Sequence, residues 1–425
     1  MMENEWPDSG TSGGGVSLSS RFDIRNVESF RDGHPHDAYD SLRSAGPLQR
    51  SPGPADSTVW LATGYEEIRA ISSDSEHFTS TAGFRIHSEH RAQMDPAIGR
   101  VLSRFMLAMD EPEHALFRKI VSPFFKPSAV SAVEPRVRKS IDRLVRGLRD
   151  RETVDFVNDI GAIVPISTIC ALIGVPAEDE QRIFEFTNAV FGTDDPELAP
   201  SLEIANERYL EFFDYGWSLL EQRRREPTND LISHIAHAEL SDGRKLTRDE
   251  QISFFSNLIA AGNETTRSSL SGAIYLLFHH PDQRRLLAEE PVRIPSAVQE
   301  ILRHYSPVIH MSRTAICDVD IGDMTVATGD RVALLYGAGN HDPAVFSNPH
   351  QFDCSRKDSM RHLAFGYGIH HCLGNRLAVL QLSLILEAFL KAFPDYELTG
   401  DASFIKSNFV LAMKSLPMRL QGALQ

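Results

Sequence analysis

Phe365-Gly366-Tyr367-Gly368-Ile369-His370-His371-Cys372-Leu373-Gly374 sets one cysteine after a glycine-rich turn and directly before an apolar stretch, 375–392, that reads as a helix. Glycines let backbone approach a flat ligand closely. A thiolate at Cys372 stands near that helix's N-terminus, where free N–H groups and the dipole stabilise negative charge by roughly 0.3–1 kcal/mol. A lone cysteine is ordinarily a buried, inert thiol, so its meaning rests on its neighbours. The four cysteines, Cys170, Cys317, Cys354 and Cys372, are far apart, with no paired spacing for zinc and no C-x-x-C-H for covalent haem. That usage predicts a reducing cytosol and thiols that are mostly buried and structural.

Upstream, Thr247 and Glu250 have capping-box spacing and open a proline-free stretch that runs until His280 meets Pro281. At 1.5 Å per residue the predicted helix is roughly 50 Å long, and Phe254, Phe255, Leu258, Ile259 and Ala261 make much of it buried. Gly262, Asn263, Glu264, Thr265 and Thr266 interrupt this apolar run. A glycine costs about 1 kcal/mol inside a helix, so Gly262 implies close approach of a ligand. An acid and a hydroxyl in an apolar channel can hold water and pass protons. The bland alternative is a threonine bonded to the preceding turn and a Glu264 paired with a buried arginine.

Glu300 and Arg303 share a helical face in a stretch that starts at Pro295 and stops before Pro307. Such a pair is usually a solvated surface bridge worth under about 1 kcal/mol. Residues 57–72 predict a strand with Val59 and Leu61, a turn at Gly64 and a short helix, and 320–336 alternate like paired strands around Gly322 and Gly329. No repeat recurs at a period of about 20–50 residues. The expected architecture is mainly α with small β-sheets, as a single domain over 21–425. Residues 1–20, rich in Gly and Ser, read as a disordered leader and not as a signal peptide or anchor. A net charge of −15 argues against a nucleic-acid binder.

Together these segments resemble the cytochrome P-450 family. The haem-binding signature is matched at Phe365, Gly366, Gly368, His370, Cys372 and Gly374, Glu300 and Arg303 resemble the E-x-x-R motif, and Ala261, Gly262, Glu264, Thr265 and Thr266 resemble the oxygen-activating helix. The resemblance implies the family's triangular, mainly helical fold, one haem b with Cys372 as its iron ligand, and a buried Glu300–Arg303 pair with a structural role. It makes Glu264 and Thr265 the proton-delivering pair. Phe365, Gly366 and Ala261 would lie against the haem, and His114, Arg118, Arg313 and His370 would reach its propionates. Asn340, Asp342, Pro343, Phe346, Pro349, Phe352 and Arg356 match the meander before the cysteine loop. His341 departs from it, because an arginine often follows the asparagine there.

What the resemblance implies chemically is insertion of one oxygen atom from O2 into a hydrophobic small molecule, by hydroxylation or epoxidation. No flavin or iron–sulfur module is legible, so electrons would come from separate proteins; resemblance to bacterial members of the family implies an NAD(P)H-dependent ferredoxin reductase and a ferredoxin docking near Lys119, Lys126 and Arg376. The chain is expected to be cytoplasmic and monomeric, without membrane contact. An apolar pocket wall is expected from Phe84, Ile86, Phe191, Leu258, Val308, Ile309, Met311, Phe409 and Val410, for a terpenoid, steroid, lipid or polyketide-like guest. A haem-thiolate sensor and a peroxide-driven peroxygenase are the alternatives; in the latter the acid and alcohol of the long helix are typically replaced.

Overall fold

A computed structural model describes residues 22–53, 57–87 and 94–421 of the 425; the proposed leader, 1–20, lies outside them. Helices dominate. In chain order they are α1 (His36–Ala45), α2 (Tyr65–Ser73), α3 (Pro96–Leu102), α4 (Glu113–Val121), α5 (Pro127–Leu148), α6 (Ile163–Ile173) and α7 (Glu180–Phe191). There follow α8 (Leu202–Arg225), α9 (Leu231–Ala236), α10 (Arg248–His279), α11 (Pro281–Glu289), α12 (Ile294–Tyr305), α13 (Tyr336–Gly339) and α14 (Asn375–Ala392). The strands are β1 (Leu48–Pro52), β2 (Thr58–Ala62), β3 (Phe78–Thr79), β4 (Thr153–Asp155), β5 (His310–Ala315), β6 (Val319–Ile321), β7 (Met324–Val326), β8 (Arg331–Leu335), β9 (Glu397–Leu398), β10 (Ser403–Phe404), β11 (Met413–Ser415) and β12 (Pro417–Arg419).

The largest sheet has the order β1-β2-β8-β5-β3, parallel between β2 and β8 and antiparallel elsewhere. The turn at Gly322 does join β6 to β7, with Ile321 opposite Met324. The turn at Gly329 does not extend that hairpin: β8 leaves it to pair with β2 and β5, because its Val332, Ala333, Leu334 and Leu335 are buried on both faces.

Helix α10 is 32 residues long, roughly 48 Å, and it is the axis on which α6, α7, α8, α12 and α14 pack. Its start is the predicted capping box: Thr247 Oγ1 accepts from the Glu250 N–H at 3.3 Å and the Glu250 carboxylate accepts from the Thr247 N–H at 2.7 Å. Glycine at 262 permits the close packing of α10 on α6, since a Cβ there would stand 2.9 Å from Ile169 Cδ1, which would have to shift. That accounts for its cost without a ligand, although Gly262 also borders the cavity described below.

Glu300 and Arg303 are both fully buried on α12. Arg303 Nε and Nη2 donate to the two Glu300 oxygens at 2.7 and 2.8 Å. Its remaining N–H groups reach the carbonyls of Asn340, Pro349 and Gln351 at 2.7, 2.8 and 3.4 Å, so all five donors are used. Arg356 Nε adds a second cation to Glu300 at 3.1 Å. This is no solvated bridge. Replacing Arg303 by leucine leaves the buried Glu300 with Arg356 as its one remaining cation and strands three carbonyls, a loss of about 3–5 kcal/mol. The expected result is aggregated or haem-free protein on purification; unchanged thermal unfolding and haem content would contradict the arrangement.

Candidate active site

The signature loop is built by backbone geometry. Gly366 and Gly368 adopt φ of 70° and 72°, and a Cβ on Gly368 would stand 2.5 Å from the Ser72 carbonyl. The loop folds back so that the Cys372 N–H donates to the Phe365 carbonyl at 2.8 Å. Cys372 then sits just before Gly374, which caps α14. Burial pushes its thiol up from the ordinary value, while the Gly374 N–H and the Arg118 charge pull the other way.

Between this loop and α10 lies a cavity of about 570 Å³. Cys372, Phe365, Gly366, His370, His114, Arg118, Arg313, Ala261 and Thr265 all line it. Ala261 is exposed in the middle of a helix otherwise buried for most of its length, because the cavity opens against it. Thr265 Oγ1 donates to the Ala261 carbonyl at 2.7 Å, which leaves its lone pairs toward the open side.

The floor near Cys372 carries an unusual charge pattern. Arg118 donates only to backbone, to the carbonyls of Ile369 and His371 at 3.3 and 2.8 Å. Arg313, 5 % exposed, donates to the Ser312 carbonyl at 2.9 Å. Neither makes an ion pair among the described residues, and burial lowers both guanidinium pKa values. His370 bonds Ser80 Oγ through Nε2 at 3.1 Å, yet its Nδ1 is buried without a partner among the described residues. Its ring lies 4.6 Å from that of His114, which is itself close to Glu111 at 3.3 Å. A buried Arg313 and a half-buried Arg118 without acid partners, beside an imidazole nitrogen with no partner among the described residues, suit an anionic ligand.

Seven of the nine residues read as pocket wall border this cavity. Phe84, Phe191, Leu258, Val308, Met311, Phe409 and Val410 line the cavity, and Val308 pairs with Val410 through a backbone bridge. Ile86 and Ile309 do not line it. Ile86 is tied back by its N–H to His310 Nε2 at 2.9 Å, Ile309 by its N–H to the Phe409 carbonyl at 2.9 Å, and both side chains enter the main core.

Glu264 is also off the cavity. It is fully buried and paired with Arg267 one turn on, with Ser268 Oγ at 3.3 Å. Arg267 in turn donates to Asn188 Oδ1 at 2.8 Å. The bland alternative is therefore the observed geometry, and the acid expected in the channel is turned away from it by a cation that also lies on α10. Phe105, Met106 and Tyr336 line the cavity and were missed: the first two come from the short chain between α3 and α4 and Tyr336 opens the four-residue α13, stretches too short to carry a periodic signal.

Residues 214–420 match the family model described as Cytochrome P-450. The chain is 33 % identical over 402 residues, 93 % of its length and 98 % of the relative's, to a linalool 8-monooxygenase of Pseudomonas putida. The chain belongs to the cytochrome P-450 family. It is likewise 31 % identical over 416 residues, 96 % of this chain and 86 % of the relative, to a steroid C26-monooxygenase of Rhodococcus jostii. A cytochrome P-450 of Mycobacterium marinum solved with pseudoionone superposes with a TM-score of 0.86 at 30 % identity, covering 93 % of this chain and 96 % of that one. As a family member the protein is a monooxygenase using haem b and O2, with NAD(P)H as the indirect electron source. Among the described residues no helix is long and apolar enough to cross a membrane.

The cavity fits haem b: cations without acids suit two propionates, and the thiol and glycines suit a flat metal complex. Each hydrogen bond to a charged group is worth about 1.5–3 kcal/mol. Arg313→Leu should therefore speed haem transfer to an acceptor apoprotein by about tenfold or more. An unchanged transfer rate would remove Arg313 from the propionate site.

Proposed function

We propose that this cytochrome P-450 oxygenates an apolar terpenoid-class molecule, and that Cys372 holds the haem iron. In this reading Arg118, Arg313, His114 and His370 hold the propionates, with Phe365, Gly366 and Ala261 against the ring. The observation that carries it is one cavity with a cationic, cysteine-bearing floor and an apolar wall. When bound, haem supplies the oxygen-activating chemistry, in which one atom of O2 enters substrate and the other leaves as water.

The residues of the chain divide the remaining work. Phe84 and Phe409, with ring centroids 6.0 Å apart, and Val308, Met311, Leu258 and Phe191 exclude water and orient the guest by shape. Thr265 is the residue we assign to proton delivery. Its hydroxyl spends its own proton on the Ala261 carbonyl, so Oγ1 accepts from a water and fixes that water's second proton toward the reacting centre. Glu264, held by Arg267, keeps this stretch of α10 in place and joins the relay only on leaving that pair.

The substrate class rests on the apolar wall and on relatives named for linalool and pseudoionone. Steroids and branched lipids, acted on by other relatives, are the competing guests. Lys119, Lys126 and Arg376 are exposed, make no ion pair among the described residues, and lie on segments flanking the cysteine loop. They suit an acidic ferredoxin better than they suit self-contained turnover with peroxide.

Spectral titration with terpenoids, steroids, fatty acids and aromatics should give the strongest low-to-high-spin change with a terpenoid. With that guest, a ferredoxin and NAD(P)H, Thr265→Ala should bind normally but form several-fold less product per NAD(P)H. Equal coupling would remove Thr265 from proton delivery, and a response confined to another compound class would overturn the substrate reading.

A further inference from the structure

The departure at His341 belongs to a second cluster, outside the cavity. His36 opens α1, His341 follows α13 and His350 lies in the loop beyond. One ring nitrogen from each lies within 4.8 Å of the other two. Ring centroids are 4.1 Å apart for His36 and His341, 5.2 Å for His341 and His350, and 5.3 Å for His36 and His350.

Hydrogen bonding already orients these rings as ligands. His341 Nδ1 lies 2.9 Å from the Gly337 carbonyl, which can only accept, so the proton is on Nδ1 and Nε2 carries the lone pair. That Nε2 is buried with no partner among the described residues, in a residue with no exposure. Nδ1 of His36 is likewise buried and without a partner among the described residues. His350 Nε2 lies 2.8 Å from Asp40 Oδ2, a carboxylate–imidazole contact that leaves Nδ1 for a ligand. Burial and mutual proximity keep His36 and His341 neutral. The Arg303 guanidinium faces the cluster, but Glu300 neutralises it.

We propose that His36, His341 and His350 bind one zinc ion, with Asp40 as the outer carboxylate. Zinc takes neutral imidazoles at about 2.0–2.1 Å, which puts tetrahedral nitrogens about 3.3 Å apart, so the rings close by small side-chain rotations. His350, whose side chain is 47 % exposed, gives the entry path and leaves the remaining position to water. The ion joins α1 to the segment whose carbonyls at Asn340 and Pro349 receive Arg303. It braces the Glu300–Arg303 core from outside, and it is separate from the haem site.

The test uses the haem-loaded protein after dialysis against a chelator. Calorimetric titration with zinc should give one equivalent bound, counted independently by mass spectrometry of the metal, and a rise of several degrees in the unfolding midpoint. His350→Ala and His36→Gln should each weaken binding at least tenfold with an unchanged haem spectrum, whereas His279→Ala, at an exposed histidine outside the cluster, should not. Absence of a stoichiometric site, or zinc binding undiminished in both cluster variants, would overturn the proposal.

Discussion

A guanidinium with no exposure to water decides much of this structure. Arg303 survives burial because every N–H finds an oxygen, two on Glu300 and three on the chain between Asn340 and Gln351. Those carbonyls belong to irregular chain with no ladder of its own, so their geometry is set by the cation. Asn340 then carries the order onward: its side chain donates to Ser306 Oγ and accepts from the Leu363 N–H at 2.6 Å. Leu363 is two residues from the start of the cysteine loop. The thiol's position thus depends on an ion pair that touches neither substrate nor haem.

The cavity obeys the opposite rule. Its floor leaves Arg118 and Arg313 without acids and His370 Nδ1 without a partner among the described residues, an arrangement that suits an anionic ligand. Glu300 and the floor cations thus differ: the first sits in a satisfied ion-pair core, the second in the site we propose for the haem propionates. Thr265 lies on the boundary, its proton committed to α10 and its lone pairs to the cavity.

Elements with a periodic or capped signature were legible in the sequence. The capping box located the start of α10, and the apolar run 375–392 is α14 to the residue. The cysteine loop was legible because special backbone conformations demand glycine at 366 and 368. Directions of side chains were not. Glu264 and Thr265 are neighbours, yet only Thr265 meets the cavity, since 100° of helical rotation separates them and Arg267 captures the acid. Ile86 and Ile309 failed as wall residues because long-range backbone bonds, invisible locally, turn them into the core. Nor does the sequence join His36 to residues 341 and 350, which only the packing of α1 beside α13 brings together.

The central claim is that Cys372, on this cationic floor, is the iron ligand. The reduced carbon monoxide complex of the purified protein tests it directly. Thiolate ligation predicts the strongly red-shifted Soret band in the native chain and its loss in Cys372→His with haem retained. A red-shifted band that persists in the variant would contradict the assignment and move the search to Cys354, whose thiol is buried.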